Sequence, residues 1–190
     1  MTGKLVCSLG IAVGLFVTNS ARADEFPSVS LSAMTIGVLG PTDLGLQMLE
    51  ARAAVSSYLH LTAAPTLVIA EGGNTEQQLR TAATFFLDLG TIRIDDRNLG
   101  VFSDAGTMRY RNRIRLTQPA NYGGYVVRWQ LLDEAFYEKG GPGWFRNMWG
   151  AGLGVDAGSA VSVDAYWLQQ DDDGKRTASL LLLMLTVHLL

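Results

Sequence analysis

A ladder of arginines is the part of this chain whose residue types could do chemistry. Arg109, Arg111, Arg113 and Arg115 alternate with other residues over one short segment. Side chains two residues apart in a β-strand point to the same side, so this spacing predicts four guanidinium groups on one face. Such a row of positive groups can pair with carboxylates or attract anions into a pore.

Other segments add charge to the same predicted face. We expect a charged network along the lumen of a barrel, made of Arg80, Arg93, Asp95, Arg97, Arg109, Arg111, Arg113, Arg115, Arg128, Glu134, Arg146 and Asp164. Two interpretations stay open. In the first, opposite charges pair and plug a narrow lumen, since an unpaired buried charge is costly. In the second, the excess of arginines over acids forms an anion-preferring constriction.

Signals for catalysis or for a bound metal are sparse. The chain has two histidines, His60 and His188, which fall near the same predicted end of the barrel and would approach each other if the first and last strands pair. Hydrolytic and acyl-transfer chemistry usually needs a histidine base beside a nucleophile, and a metal site needs three or four ligands. We interpret both histidines as structural and predict no catalytic residue, no metal ion and no cofactor.

Two further motifs have ordinary structural interpretations. The glycines of the stretch 150–154 lack the βα unit of a dinucleotide-binding loop, so we expect them to make room for large lumen side chains. The acidic stretch 171–175 lacks the later ligands of a calcium loop and is predicted to be a solvated hairpin tip. The alternative for this tip is a cation-bridged contact to lipopolysaccharide phosphates.

The elements that position these residues are predicted to be strands. No segment combines sustained helical periodicity with caps, so the predicted class is all-β. Ten strands are expected, at residues 28–39, 44–56, 59–70, 77–88, 91–102, 107–117, 125–138, 144–155, 160–170 and 177–190. If the N-terminus is periplasmic, the turns after even-numbered strands are periplasmic too, and the more polar turns face outside.

The apolar face of these strands decides between two architectures. In a soluble β-sandwich it would be the core, and the arginines would lie in water. We favour the opposite arrangement, an antiparallel up-and-down transmembrane β-barrel with its apolar face toward lipid, for two reasons. Aromatic residues gather near strand ends, as in interfacial girdles, and comprise Trp129, Tyr137, Trp144, Trp149 and Trp167. The charged face also carries both signs, as an internal network needs.

The N-terminus predicts export. Lys4 precedes an apolar run at residues 5–17, and the small residues Ala21 and Ala23 suit a cleavage site, so residues 1–23 are predicted to be a secretory signal peptide. Residues 24–190 would then form a single barrel domain. The lone cysteine, Cys7, lies in the predicted signal peptide. The formal net charge of −3 argues against a nucleic-acid partner.

From about residue 77 onward, the chain resembles the exported bacterial family called domain-of-unknown-function 2490, while the N-terminal strands match only in pattern. The resemblance rests on Gln78-Leu79-Arg80, Asp95-Asp96-Arg97-Asn98-Leu99, Tyr110-Arg111-Asn112-Arg113, Asp133-Glu134, Trp144-Phe145-Arg146-Asn147 and Gly150-Ala151-Gly152-Leu153-Gly154, in that order. It implies a barrel-like outer-membrane protein and supplies no activity.

These observations predict a small outer-membrane β-barrel protein, structural or of a narrow pore type, without catalysis. Its expected partners are outer-membrane lipid, lipopolysaccharide and the barrel assembly machinery. Two alternatives stay open: an outer-membrane enzyme that modifies lipids, and a periplasmic β-protein that binds an apolar ligand.

Overall fold

Ten antiparallel strands form a closed barrel in the computed structural model, which describes residues 28–40, 44–173 and 175–189. The strands are β1 (Ser28–Leu39), β2 (Leu44–Ser56), β3 (Leu59–Ala70), β4 (Thr75–Leu89), β5 (Ile92–Ser103), β6 (Met108–Tyr122), β7 (Tyr125–Lys139), β8 (Gly143–Ala157), β9 (Val161–Asp172) and β10 (Lys175–His188). Each strand pairs with the next, and β10 pairs back with β1. The predicted all-β class and ten-stranded antiparallel barrel are confirmed. The predicted signal peptide lies outside the described residues.

The two ends of the barrel need names. The terminal rim is the end where β1 begins and β10 ends, and it carries the turns at 57–58, 90–91, 123–124 and 158–160. The distal rim is the opposite end, which includes the 3₁₀ turn Glu71–Gly73 and the turns at 104–107 and 140–142. Among the described residues, no helix has the length and apolar character needed to cross a membrane.

The main difference from the predicted boundaries is at β6, which continues to Tyr122 instead of ending at residue 117. Residues 118–122, which include Pro119, were expected to be a periplasmic turn. They pair instead with the start of β7, with Tyr122 opposite Tyr125. Gly123 and Gly124 both adopt positive φ in the two-residue connection, a conformation that favours tight hairpins between twisted strands.

The barrel turns its charged face inward and its apolar face outward. On β6, the Arg113 side chain is 21% exposed, whereas Ile114 is 49% exposed. Bulky apolar side chains remain exposed around the wall, among them Leu49, Leu61, Leu79, Phe85, Leu87, Ile114, Trp129, Leu131, Trp144, Leu153, Val163, Trp167, Leu181 and Leu183. Since the sheet closes on itself, these residues have no second sheet to pack against, and the sandwich alternative does not apply.

Part of the inner wall is apolar rather than charged. Met34, Met48 and Ala64 pack together inside the barrel, from β1, β2 and β3. A second inner cluster draws on β7, β8, β9 and β10 and contains Phe136, Met148, Tyr166, Leu168 and Leu180. The interior therefore has an apolar sector centred on β1, β2 and β10, beside a charged sector centred on β5, β6 and β7.

Three inward-facing glycines allow β8 and β9 to approach closely. A Cβ atom on Gly150 would lie 2.1 Å from the carbonyl oxygen of Trp167, and one on Gly152 would lie 2.3 Å from the Tyr166 ring. A Cβ on Gly154 would lie 2.2 Å from the Asp164 carboxylate. The space these glycines leave is thus occupied by β9 and, at Gly154, also by lumen side chains of β7, since the added Cβ would lie 2.7 Å from Arg128 Nη2 and 2.8 Å from Gln130 Nε2.

Candidate functional site

The most deeply buried acids of the described residues anchor the charged interior. Glu50, on β2, is 1% exposed and accepts hydrogen bonds from Arg52 at 2.6 Å and from Arg97 at 3.2 Å. Arg97 belongs to β5, so this contact crosses the lumen instead of following a neighbouring strand. A buried carboxylate needs such charged partners, because nothing else would offset the unfavourable free energy of its desolvation.

Asp95, on β5, has the same burial and a similar arrangement. It is 1% exposed, and its two oxygens accept from Arg113 at 3.1 Å and from Arg115 at 2.7 Å. Both arginines lie on the adjacent strand β6. Arg115 also reaches Gln130 at 3.1 Å and the Tyr166 hydroxyl at 3.4 Å, so β5, β6, β7 and β9 are joined at this level.

Glu134, on β7, completes the layer. It accepts from Arg111 at 2.8 Å, and the Arg111 guanidinium lies 4.5 Å from the centre of the Phe136 ring. We call these residues the arginine–carboxylate belt: Glu50, Asp95, Arg97, Arg111, Arg113, Arg115 and Glu134. Arg97, Arg111 and Arg113 each keep a buried Nε–H with no partner among the described residues, so the belt has more donors than its acids satisfy.

Charge pairs continue on both sides of the belt. Toward the terminal rim, Arg128 contacts Asp156 and donates to Asp164 at 2.9 Å, and Asp164 also accepts from Gln130 at 2.6 Å. Toward the distal rim, the pairs are between neighbouring strands. Arg109 donates to Glu138 at 2.8 Å, and Arg146 holds Asp172 in a bidentate contact at 2.7 and 3.1 Å.

Arg80 is the exception among the buried interior arginines. It is 8% exposed, and its Nε and Nη2 both donate to the Gln78 side-chain oxygen, at 3.1 and 2.8 Å. Gln78 in turn donates to Glu76 at 3.0 Å. Within the described residues, no carboxylate lies within ion-pair distance of Arg80, so a neutral amide is its direct partner.

Arg93 does not reach the belt, although it was predicted to join the lumen network. It lies at the start of β5, beside the terminal rim, and its side chain is 51% exposed. It forms a bidentate contact with Asp88 at 2.7 and 3.0 Å and lies over the Phe86 ring. The end of the strand places Arg93 in a more open environment than the other arginines of the predicted set.

Several partners of the predicted residues were missing from the sequence prediction. They are Glu50, Arg52, Glu76, Glu138, Asp156 and Asp172, with Gln78, Gln130 and Tyr166 as neutral members. The signal was present on β2, where Glu50 and Arg52 share the inward parity of Met48. With these acids included, the arginines of the interior no longer stand in large excess.

The belt separates two cavities. The distal cavity has a volume of about 450 Å³, and its lining includes Leu46, Arg111 and Leu182. The terminal cavity has a volume of about 460 Å³, and its lining includes Arg113 and His188. The two sets of lining residues do not overlap, and consecutive inward residues of β6, Arg111 and Arg113, belong to different cavities.

The two histidines lie in different surroundings, although β1 and β10 do pair as the prediction required. His188 sits between two serines, with its Nδ1 3.2 Å from the Ser32 hydroxyl and its Nε2 3.0 Å from the Ser162 hydroxyl. His60 instead packs against Phe86, with ring centres 4.5 Å apart. A serine beside a histidine resembles part of a hydrolytic triad, but here a second serine occupies the position of the acid that would stabilise an imidazolium.

The acidic hairpin tip is partly engaged by the protein. Asp172 accepts from Arg146, and Asp171 accepts from the Trp149 indole at 3.3 Å. In the part of the chain that the structure describes, no group of three or more His, Cys, Asp or Glu side chains is arranged to hold a metal ion.

A polar cluster interrupts the apolar outer surface. Asn112 donates to Asp96 at 2.7 Å and to Asn98 at 3.3 Å, and Tyr110 donates to Asn98. These residues alternate with the inward Asp95, Arg97, Arg111 and Arg113. The segments 95–98 on β5 and 110–113 on β6 therefore each contribute side chains to both faces of the wall.

Comparisons with solved structures return distant barrels. The Bordetella autotransporter BrkA beta domain is 11% identical, with a TM-score of 0.47 over 84% of this chain and 98% of that one. The KdgM porin in complex with disordered oligogalacturonate is 10% identical, with a TM-score of 0.44 over 82% and 98%. A bacterial polysaccharide outer membrane secretin is 8% identical, with a TM-score of 0.46 over 77% of this chain. This chain spans 57% of the secretin's length.

No protein-family model matches the chain, and no curated protein matches it. The resemblance to the domain-of-unknown-function 2490 family therefore stays a prediction.

Proposed function

We propose that the protein is a small outer-membrane β-barrel of the domain-of-unknown-function 2490 type, with an ion-paired lumen that is closed to ions and with no catalytic role. The terminal rim would face the periplasm and the distal rim the outside. Its surroundings would be outer-membrane lipid and lipopolysaccharide, reached through the barrel assembly machinery after removal of residues 1–23.

The outer surface supports a membrane location. Leu131 on β7 and Val163 and Trp167 on β9 are 56%, 48% and 56% exposed on the outer wall. Contact with water would make the exposure of such large apolar side chains unfavourable. A closed barrel also leaves no unpaired strand edge, which is the requirement for a sheet in hydrocarbon. Trp129 and Trp144 are both 60% exposed, and their amphipathic rings suit the membrane–water interfaces.

The arginine–carboxylate belt is the main observation that supports a closed lumen. Its contacts run from β2 to β5, from β5 to β6, and from β6 to β7 and β9. An ion that crossed the barrel would have to pass from the distal to the terminal cavity through these paired and buried groups. Opening such a path would separate the ion pairs, which is unfavourable because each partner would be left as an uncompensated buried charge.

Conductance in a planar bilayer tests this proposal. The folded protein is first identified on detergent gels by a mobility shift between boiled and unboiled samples, and by sedimentation with outer membranes. We expect the wild type to insert and to pass little or no current. The alternative, an anion-selective constriction, would give a steady conductance whose preference for anions weakens as salt screens the arginines.

Two results would overturn the proposal. A cation-selective current would contradict both the closed lumen and the anion constriction, because an arginine-rich path disfavours cations. A protein that stays soluble and shows no mobility shift would contradict the membrane barrel and favour a periplasmic β-protein.

A further inference from the structure

The distal cavity has two chemically different walls. Val38, Leu46 and Leu182 line it from β1, β2 and β10, which are adjacent around the barrel. Arg80 and Arg111 line it from β4 and β6. A cavity of about 450 Å³ is within the size range of small-molecule sites. Its division into an apolar half and a cationic half indicates a ligand with the same division.

Arg80 is the residue of this cavity that most needs an anion. The half-buried interior arginines Arg97, Arg111 and Arg115 each contact a carboxylate directly, whereas the more buried Arg80 contacts the neutral oxygen of Gln78. Both of its hydrogen bonds, from Nε and Nη2, go to this one oxygen. A guanidinium that is 8% exposed and lacks a direct counter-ion stabilises any anionic group that reaches it.

A smaller pocket adjoins the distal cavity on its cationic side. It has a volume of about 250 Å³ and shares Arg80, Arg111, Phe136 and Arg146 with the larger cavity. Arg109 and its partner Glu138 also line it. Guanidinium groups present several donors in a planar fork that matches carboxylate and phosphate oxygens. The shared wall is therefore suited to an anionic head group, with the apolar cavity directly beside it.

We propose that the distal cavity binds a single-chain amphiphilic anion, with a carboxylate or phosphate head at Arg80 and Arg111 and a hydrocarbon chain along β1, β2 and β10. An inorganic anion would leave the apolar wall in contact with water. A neutral hydrocarbon would leave Arg80 without a counter-ion. This inference goes beyond the closed lumen, because the distal cavity lies on one side of the belt whether or not the belt passes ions.

Calorimetric titration of the full folded chain in phosphatidylcholine nanodiscs tests the proposal, with empty nanodiscs as the background. The probes are laurate and lauroyl glycerol phosphate, which carry the two head groups on the same chain. Dodecanol lacks the charge, and acetate lacks the chain. We expect saturable binding of at least one of the first two, at least tenfold tighter than dodecanol or acetate. The tighter of the two assigns the source as a free fatty acid or a phospholipid fragment.

Two variants and a matched control locate the site. Arg80→Gln should weaken binding at least tenfold by removing the charge. Ala70 lines the distal cavity from the end of β3, and Ala70→Phe should weaken binding as much by filling the apolar half while leaving every arginine in place. Arg93→Gln removes an arginine at the opposite rim and should leave affinity unchanged. If Arg80→Gln does not show the mobility shift of a folded barrel, Ala70→Phe carries the test. Absence of saturable binding, or full affinity in Ala70→Phe or a folded Arg80→Gln, overturns the proposal.

Discussion

Arg111 and Arg113 occupy consecutive inward positions of β6, and each binds a different buried acid. Arg111 donates to Glu134, and Arg113 donates to Asp95. Changing both to Gln removes the arginine partner of the buried Glu134 and one of the two partners of the buried Asp95. The free energy of unfolding should fall by about 3–5 kcal/mol, the usual cost of removing one partner of a buried acid. The fraction that keeps the unboiled mobility across a urea series measures this loss.

The matched control is Arg93→Gln. Arg93 also forms a bidentate pair, but with an exposed partner at the rim, where water and salt screen the interaction. Its loss should leave the urea midpoint unchanged. Equal midpoints for all three proteins would mean that the belt contributes nothing to stability.

The alternation of side chains along single strands predicts part of the charged interior. Alternation on β6 was enough to predict that Arg109, Arg111, Arg113 and Arg115 share a face. Alternation also placed Asp95 and Glu134 on this face, but it did not reveal Glu50, which meets Arg97 across the lumen, because strands separated by two others become neighbours only when the sheet curls. Sequence patterns describe single strands, whereas contacts across a lumen depend on the curvature of the closed barrel.

Strand β8 depends on glycines that face inward. In Gly150→Ala, the added Cβ would meet the carbonyl oxygen of Trp167 at 2.1 Å, and backbone cannot rotate away as a side chain can. We expect a loss of about 1–3 kcal/mol, or more if β8 and β9 must separate. Gly37→Ala is the control, since nothing lies within 4 Å of its added Cβ. The same urea series compares the two, and equal stability would argue against the close approach.

The outer faces of β7 and β9 give the sharpest test of which side meets lipid. Leu131→Arg and Val163→Arg should each destabilise the barrel by about 2–4 kcal/mol if these positions lie near the bilayer midplane. Tyr122→Arg, at the terminal rim, should cost much less, because the penalty falls toward the interface. Assembly yields in outer membranes and in lipid vesicles measure the difference. Normal assembly of all three variants would mean that this face does not contact hydrocarbon.

The strand bounds were largely predictable from the sequence, and the C-terminal end of β6 is the main exception. The bounds predicted for β1, β2 and β3 agree with the structure, because apolar alternation stops where turn residues begin. At Pro119, local chemistry predicts a turn. The hairpin to β7 overrides this preference, since Pro119 lies opposite Arg128 in a ladder that the two glycines of the turn close.

The whole barrel is asymmetric around its circumference. The inward positions of β1 include Met34 and Ile36, and those of β10 include Leu182 and Met184, whereas β5, β6 and β7 carry most of the belt. The seam where the chain closes therefore runs through the apolar sector. The predicted lumen network lies on β4 to β9, because charged residues alternate along these strands, and it did not include the apolar inward positions of the seam strands β1 and β10.

The contacts across the lumen also have a mechanical meaning. A wall made of hydrogen-bonded strands resists stretching around its circumference but bends easily, so an empty cylinder flattens under sideways load. Glu50 and Arg97 join β2 to β5, while Arg115 and Tyr166 join β6 to β9. These pairs connect opposite parts of the wall through the lumen. Flattening the barrel would break them, so they resist a change in its cross-section and in the width of both cavities.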